Sequence, residues 1–291
     1  MRRGFLVVDK PSGMTSTDVV NRVKRATGIK KVGHAGTLDP MATGALVLAL
    51  GPVTRLIRFI QDQPKEYIAT ALFGVATDTL DADGAVLTRE EMHFTPEELE
   101  AVAARFVGTV HQIPPMVSAL KQGGKRLYEL ARQGQVVERE ARPVEIHELE
   151  LIDVGPGPYP EVTFRVVCGK GFYVRSLADD MAAVLGGNAH LTSLRRTRIG
   201  SLRADEGITL DHLDRWESYL LSPAEALADL AAISVDDQTA RAVSHGMRFV
   251  GDVMGAMPEG EPFRVLDPSG VLLAVYSRQG DQARPEVVLP D

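Results

Sequence analysis

One acidic side chain stands out by its setting. Asp39 lies in the stretch Gly33-His34-Ala35-Gly36-Thr37-Leu38-Asp39-Pro40-Met41-Ala42-Thr43-Gly44. Its three glycines let the backbone take φ > 0 or approach a neighbour closely, and Pro40 biases Asp39 towards an extended backbone. The run Ala45-Leu46-Val47-Leu48-Ala49-Leu50 follows at once and reads as a buried strand. A carboxylate held in a loop by a rigid segment is placed as functional groups often are. An Asp-Pro in a glycine-rich loop is more often an ordinary turn, so the loop alone decides nothing.

Other chemistries are missing from the chain. It has no Gly-x-x-x-x-Gly-Lys-Ser/Thr phosphate loop, no Gly-x-Gly-x-x-Gly after a strand, no His-Glu-x-x-His and no Gly-x-Ser-x-Gly. Its seven His and one Cys are dispersed without zinc spacing. The acidic stretch Thr77-Asp78-Thr79-Leu80-Asp81-Ala82-Asp83-Gly84 lacks the closing acid of a calcium loop. Any catalysis must therefore run on carboxylate, tyrosine and arginine groups, with no metal and no nucleotide cofactor.

The elements that would position such groups can be read in order. Phe5 to Val8 is a strand, and Ser16 or Thr17 caps a helix with apolar face Val19, Val20, Val23 and Ala26, stopped at Gly28. Leu56, Ile57 and Ile60 mark a short helix, and Lys65 to Phe73 is a strand. Thr95-Pro96-Glu97-Glu98 is a capping box that opens a helix through Leu99, Val102 and Phe106 to Gly108. From His111 to Arg142 runs a long basic excursion with a Gln122-Gly123-Gly124-Lys125 tip and a short helix around Leu127, Tyr128, Leu130 and Ala131. Strands recur at Val144–His147 and Val162–Val166, and a helix spans Val174 to Leu185 with Gly186-Gly187 as its stop. Ser222-Pro223-Ala224-Glu225 is a further capping box. Beyond about Ala232 the pattern is β-like, with a hairpin turning at Asp267-Pro268-Ser269-Gly270.

At 291 residues the chain can bury a large core as one domain or two. It has no apolar run of about 18 residues, so no membrane helix is expected. The apolar stretch after Arg2-Arg3 is about four residues, too short for a secretory signal core. The lone Cys168 fits a reducing cytoplasm. A net charge of -7 argues against a protein that coats nucleic acid indiscriminately. Local basic clusters remain, at Arg22 to Lys31, Lys121 to Arg142 and Arg195 to Arg203.

Several ordered motifs give these fragments a common meaning. Asp9-Lys10-Pro11-x-Gly13-Met14-Thr15-Ser16, the Asp39 loop, Lys65-x-Tyr67 and Gly171-Phe172-Tyr173-Val174-Arg175-Ser176-Leu177 resemble the successive motifs of the TruB family, the bacterial tRNA pseudouridine-55 synthases. Ile113-Pro114-Pro115-Met116-x-Ser118-Ala119-Leu120-Lys121 and Leu194-Arg195-Arg196-Thr197 extend the resemblance, which runs from about residue 4 to about residue 228. It implies an α+β fold: a mixed, mainly antiparallel central sheet with flanking helices. Residues 1–230 would form the catalytic domain, with the basic insertion at about 111–142 gripping RNA, and 231–291 a small PUA-like β domain. From Asp229 onward the chain carries ten acidic against five basic residues, so only an accessory contribution of the tail to binding is expected.

The resemblance also assigns roles. Asp39 is the essential aspartate, acting as a nucleophile at the ribose or base, or as a base at the sugar C2′; Arg175 pairs with it. Tyr67 stacks on the flipped base and takes part in proton transfer. Tyr173 and Leu194 line the uracil pocket, and His34 fills the space left by the extruded nucleotide. Lys10, Lys121, Arg126, Arg195 and Arg196 are expected to bind substrate. The implied reaction rearranges uridine-55 in the T-arm of tRNA without gaining atoms, so no cofactor or metal is needed. The expected protein is a cytoplasmic monomer that needs no guide RNA and no membrane. A guide-RNA-dependent synthase of the dyskerin type and a non-catalytic RNA-binding protein are the rival readings.

Overall fold

Alternating and continuous apolar runs along the chain converge in one large sheet. The computed structural model describes residues 3–289 apart from positions 119, 123, 128, 129, 131, 132, 136, 252, 253, 256 and 257. Strands β1 (Gly4–Lys10), β2 (Val32–His34), β3 (Thr43–Leu50) and β4 (Lys65–Phe73) come first. A separate ribbon of β5 (Val75–Thr77) and β6 (Val86–Arg89) follows, then β7 (Gly108–Gln112). Within the basic excursion, β8 (Lys121–Gln122) and β9 (Lys125–Arg126) form a hairpin. The main sheet is completed by β10 (Arg142–Val154), β11 (Glu161–Cys168), β12 (Ala189–Ile199) and β13 (Leu202–Arg203).

The strand order is β1-β3-β12-β4-β11-β10-β7, with β2 on β3 and β13 on β12. Among the described residues every pairing in this sheet is antiparallel except β3 with β12. That parallel contact sets Thr43 beside Arg195 and Gly44 beside Arg196. The expected mixed, mainly antiparallel α+β class is therefore observed.

The apolar run Ala45 to Leu50 within β3 has a physical reason. Leu46, Leu48 and Leu50 face a core with Val19, Val20 and Val23 of helix α1 (Ser16–Thr27). Ala45, Val47 and Ala49 face the opposite core, with Phe5, Val53, Leu56, Phe59 and Ile60. A strand buried on both faces loses the polar alternation of a half-exposed one.

The α1 cap is Thr15 rather than Ser16 or Thr17, because Asp18, three residues on, closes a reciprocal capping box with it. Ser16 is thereby free for another partner, described below. Ala26 is exposed, and Gly28 ends the helix at φ 71°. After a 3-10 turn over Gly51–Leu56 come α2 (Ile57–Gln61) and α3 (Pro96–Ala104). The last stops short of the expected Phe106 because Gly108, at φ 102°, already opens β7. Helix α4 (Val174–Val184) packs Leu177, Ala178 and Met181 into the main core. No helix among the described residues is long and apolar enough to cross a membrane.

The tail forms a second sheet of β14 (Ala232–Ser234), β15 (Phe249–Val250), β16 (Pro262–Leu266), β17 (Leu272–Gln279) and β18 (Gln282–Val288), ordered β14-β16-β17-β18-β15. The Asp267 carboxylate closes the expected turn by accepting from the Ser269 and Val271 amides at 2.8 and 2.9 Å. A helix over Asp237–Ser244, capped by Asp236, was not expected from the β-like composition. The two sheets share one apolar cluster: Leu272, Val275, Val287 and Leu289 pack with Val53, Leu56, Phe59 and Ile60. Arg264 bolts β16 to the preceding segment, donating to the carbonyls of Leu230, Ala224 and Ala228 at 3.0, 2.7 and 3.2 Å.

The parallel crossing of β3 and β12 depends on Gly44. It sits at φ 100°, and a Cβ there would lie 2.2 Å from the Arg196 carbonyl oxygen. Gly44→Ala should destabilise the chain by about 3 kcal/mol or more. At about 2–4 °C per kcal/mol for a chain of this size, calorimetry should show the midpoint falling by roughly 6 °C or more. An unchanged midpoint would contradict the crossing.

Candidate active site

The Asp39 loop is held by side chains from three other elements. Lys10, at the end of β1, is fully buried (0% exposed) and donates to the carbonyls of Pro40 at 3.1 Å, Ala42 at 2.7 Å and Pro11 at 2.9 Å. Arg196 on β12 is 2% exposed and donates to Ala45 O at 2.7 Å, Gly36 O at 3.1 Å and Thr37 O at 3.4 Å. The hydroxyl of Ser16 accepts from Leu38 N at 2.9 Å and donates to Leu38 O at 3.1 Å. Buried carbonyls in an irregular loop must find donors. Here two cations and a serine supply them, and Asp39 is held in place as a result.

Asp39 meets Arg175 across the site. Arg175 Nε lies 3.1 Å from Asp39 Oδ2, with Arg175 3% exposed and the Asp39 side chain 32% exposed. The same guanidinium donates from Nη1 to Thr79 O at 2.8 Å and to Asp81 Oδ2 at 3.1 Å, and from Nη2 to Val117 O at 2.7 Å. Every face of the fork is thus engaged, which fixes its plane and orients Nε at the carboxylate. Arg175 lies in the first turn of α4, where the helix dipole disfavours a cation; the two carboxylates offset that.

Burial pushes the Asp39 carboxyl above the ordinary carboxylate range. Arg175 and Lys10 pull it back, while Asp81 pushes it further up. Lys10 is itself lowered to about 8, chiefly by burial. Tyr67, on β4, is packed against the main core. Burial raises its phenol, and the Arg196 guanidinium beside it opposes that shift. Tyr173 caps α4, and burial raises its phenol too. Gln112 grips the Tyr173 backbone from both sides: its amide donates to Tyr173 O at 3.0 Å and its carbonyl accepts from Tyr173 N at 2.8 Å. Leu194 is buried on β12, next in sequence to the arginine pair. His34 stands on β2 at the mouth of the loop, its Nδ1 accepting from Gly36 N at 3.4 Å.

The structure thus brings Arg175, Tyr67 and Tyr173 each within electrostatic reach of Asp39. It redistributes the basic residues. Lys10 and Arg196, expected to bind substrate, lie underneath the loop, because its carbonyls need donors where no water reaches. Arg195 makes a bidentate pair with Asp9 at 3.0 and 2.9 Å. Arg198 pairs with Glu66 and Arg203 with Asp205, so three arginines of the Arg195 to Arg203 cluster each face a carboxylate. The side chains of Lys121 and Arg126 lie outside the described residues.

Asp81 and Gln112 were missed. Asp81 reads as one acid of a polar turn, and the turn closes on itself: Asp78 Oδ1 accepts from Ala85 N at 2.8 Å, and Asp81 Oδ1 from Thr79 and Asp83. Among the described residues no cluster of three or more His, Cys, Asp or Glu could hold a metal. Asp81 spends its second oxygen on Arg175 instead. The charge environment gives opposite signs for two substitutions. Lys10→Met removes a positive neighbour and should move the Asp39 titration further up; Asp81→Asn removes a negative one and should move it down. Carboxyl-carbon NMR titration reads both, and shifts in the same direction would refute the assignment.

Comparison with known proteins places nearly the whole length of the chain among relatives. The family model for the N-terminal domain of TruB family pseudouridylate synthases matches residues 24–174. Models for the C-terminal domain of tRNA pseudouridylate synthase B and for the C-terminal part of tRNA pseudouridine synthase II match residues 175–230 and 230–290. The tRNA pseudouridine synthase B of Moorella thermoacetica is 44% identical over 291 residues, covering 97% of this chain and 95% of that one. The tRNA pseudouridine synthase B of Symbiobacterium thermophilum is 48% identical over 245 residues, covering 84% and 82%. Among solved structures, a chain in the crystal structure of a Cbf5-Nop10-Gar1 complex superposes with a TM-score of 0.77 at 25% identity, covering 99% of this chain and 85% of that one. The chain belongs to the TruB family of pseudouridylate synthases.

Proposed function

We propose that this protein isomerises a uridine of tRNA to pseudouridine, at position 55 in the T-arm, acting alone without a guide RNA. The observation that carries this is the Asp39–Arg175 pair at 3.1 Å, set beside Tyr67 in a chain of this family. The reaction breaks the bond from ribose to N1, turns the base, and joins C5 to the ribose. It gains no atoms, so a positioned carboxylate and its neighbours can serve it. Asp39 is the reacting carboxylate, as nucleophile or as base. Arg175 holds it ionised against the penalty of burial. Tyr67 offers an aromatic face to the base, and Tyr173 and Leu194 line the pocket. Extrusion of the base costs a few kcal/mol, offset by such stacking and by phosphate contacts.

Phosphates have a free basic track available. Arg22, Lys24, Arg25, Lys30 and Lys31 form no ion pair among the described residues, and all but Lys24 are exposed. The acidic surplus elsewhere limits non-specific affinity. Residues 1–230 are read as the catalytic domain and 231–291 as an accessory PUA-like β domain.

Incubating the protein alone with an unmodified tRNA transcript and mapping pseudouridine tests the reading. A product at position 55 is expected; no product, or product at several unrelated sites, would reject it. Asp39→Asn should lower product formation by roughly 10³-fold or more while tRNA affinity stays level or tightens. Loss of affinity instead would reassign Asp39 to structure. Raising salt from about 50 to 200 mM should weaken tRNA binding roughly tenfold to hundredfold, and replacing Lys30 and Lys31 by Gln should cut the logarithmic slope by about two. A flat response would remove phosphate contacts from the account.

A further inference from the structure

Helix α4, which carries Arg175, begins unlike the other long helices. Helices α1, α3 and the one over Asp237–Ser244 are capped by their own residues: the Thr15, Thr95 and Asp236 side chains accept from the amides of Asp18, Glu98 and Thr239. In α1 and α3 the N-cap amide is satisfied in return, by the carboxylates of Asp18 and Glu98. In α4 the N-cap is Tyr173, whose side chain makes no cap bond. Three residues on, where the returning acid would stand, is Ser176.

The missing cap comes from another element. Gln112, 3% exposed at the end of β7, accepts from Tyr173 N at 2.8 Å and donates to Tyr173 O at 3.0 Å. It is also a hydrogen-bond neighbour of the Asp180 carboxyl further along α4, so its carboxamide is braced on the helix that it starts. Ser176, which closes no capping box, donates instead to Ile113 O at 3.2 Å. Ser, Thr, Asp or Asn would cap the helix locally. Tyr cannot, because its oxygen stands at the far end of a ring. A local rule broken here and made good from 61 positions away marks a residue kept for another purpose. What Tyr173 supplies is a phenol within electrostatic reach of Arg175 and Asp39.

We propose that Gln112 is a positioning residue for the isomerisation: by capping α4 from β7 it fixes Tyr173, and through Tyr173 the seat of the base beside Asp39. This rests on the isomerase reading above, in which Tyr173 lines the uracil pocket. Buried as it is, Gln112 acts through Tyr173 rather than on the substrate. It also stands where β7 gives way to the basic excursion, so that excursion and the ring that seats the base are tied at one carboxamide.

The test is a double-mutant cycle in the full chain, read by single-turnover conversion of an unmodified tRNA transcript. Gln112→Ala should slow the chemical step about tenfold to hundredfold, the cost of a misplacement of about an ångström in the site. Affinity for tRNA, carried mainly by phosphate contacts, should stay within about threefold. In a Tyr173→Ala background the same substitution should change the rate less than about twofold, because the residue it acts through is gone. Effects that multiply in the cycle would overturn the proposal, since a residue that only supports the fold slows both backgrounds alike. So would an unchanged rate in Gln112→Ala, or a loss of tRNA affinity equal to the loss of rate. Gln112→Glu keeps an acceptor for the Tyr173 amide at a helix N-terminus, where negative charge is favourable. It replaces Gln112→Ala in the cycle, with the same expected coupling, if calorimetry shows the alanine variant unfolded at the assay temperature. If both unfold, Gln112 is a scaffold residue and the proposal falls. The unsubstituted protein reports on the isomerase reading separately: no product from it fails that reading, while normal product with a multiplicative cycle fails this one.

Discussion

A single guanidinium joins the three parts from which the site is assembled. Arg175 reaches Asp39 in the glycine-rich loop, Thr79 and Asp81 in the acidic turn, and Val117 in the basic excursion. These segments are separated widely in sequence and are brought to one point by α4. A buried arginine is tolerable only when its donors are satisfied, and this one is satisfied by groups that must themselves be in place. The requirement is reciprocal. A displaced turn or excursion leaves Arg175 under-coordinated, and an under-coordinated Arg175 no longer defines the carboxylate.

Beneath this lies the problem of an irregular loop at the centre of a folded chain. A strand would have paired its own carbonyls; the Asp39 loop cannot. Lys10 and Arg196 do it from below, and the short parallel pairing of β3 with β12 brings Arg196 close enough. Sheet topology thus fixes the aim of one side chain. The charges used underneath the loop also bear on the chemistry, since Lys10 lies near enough to help keep Asp39 ionised.

How much of this was readable beforehand depends on how local each cause is. The double burial of β3, the capping boxes at Thr95 and Ser222, the helix through Met181 and the Asp267 turn follow from patterns a few residues long, and all are observed. The α1 cap falls on Thr15 because Asp18 closes a box with it, and Ser16 is left to serve Leu38, a partner 22 positions away. Lys10 and Arg196 read as cations and were assigned to RNA. Nothing within a short window tells that their partners are carbonyls of a distant loop. Asp81 was hidden for the same reason: a polar turn looks alike whether or not one of its carboxylates points inward at an arginine.

The apolar cluster shared by the two sheets bears on what the tail is for. Val53, Leu56, Phe59 and Ile60 are covered in part by Leu272, Val275, Val287 and Leu289, and Arg264 clasps three carbonyls of the connecting segment. The tail is therefore a buttress before it is anything else. Its acidic composition poses no paradox for an RNA-modifying protein, because a part retained as masonry need not bind RNA to be indispensable.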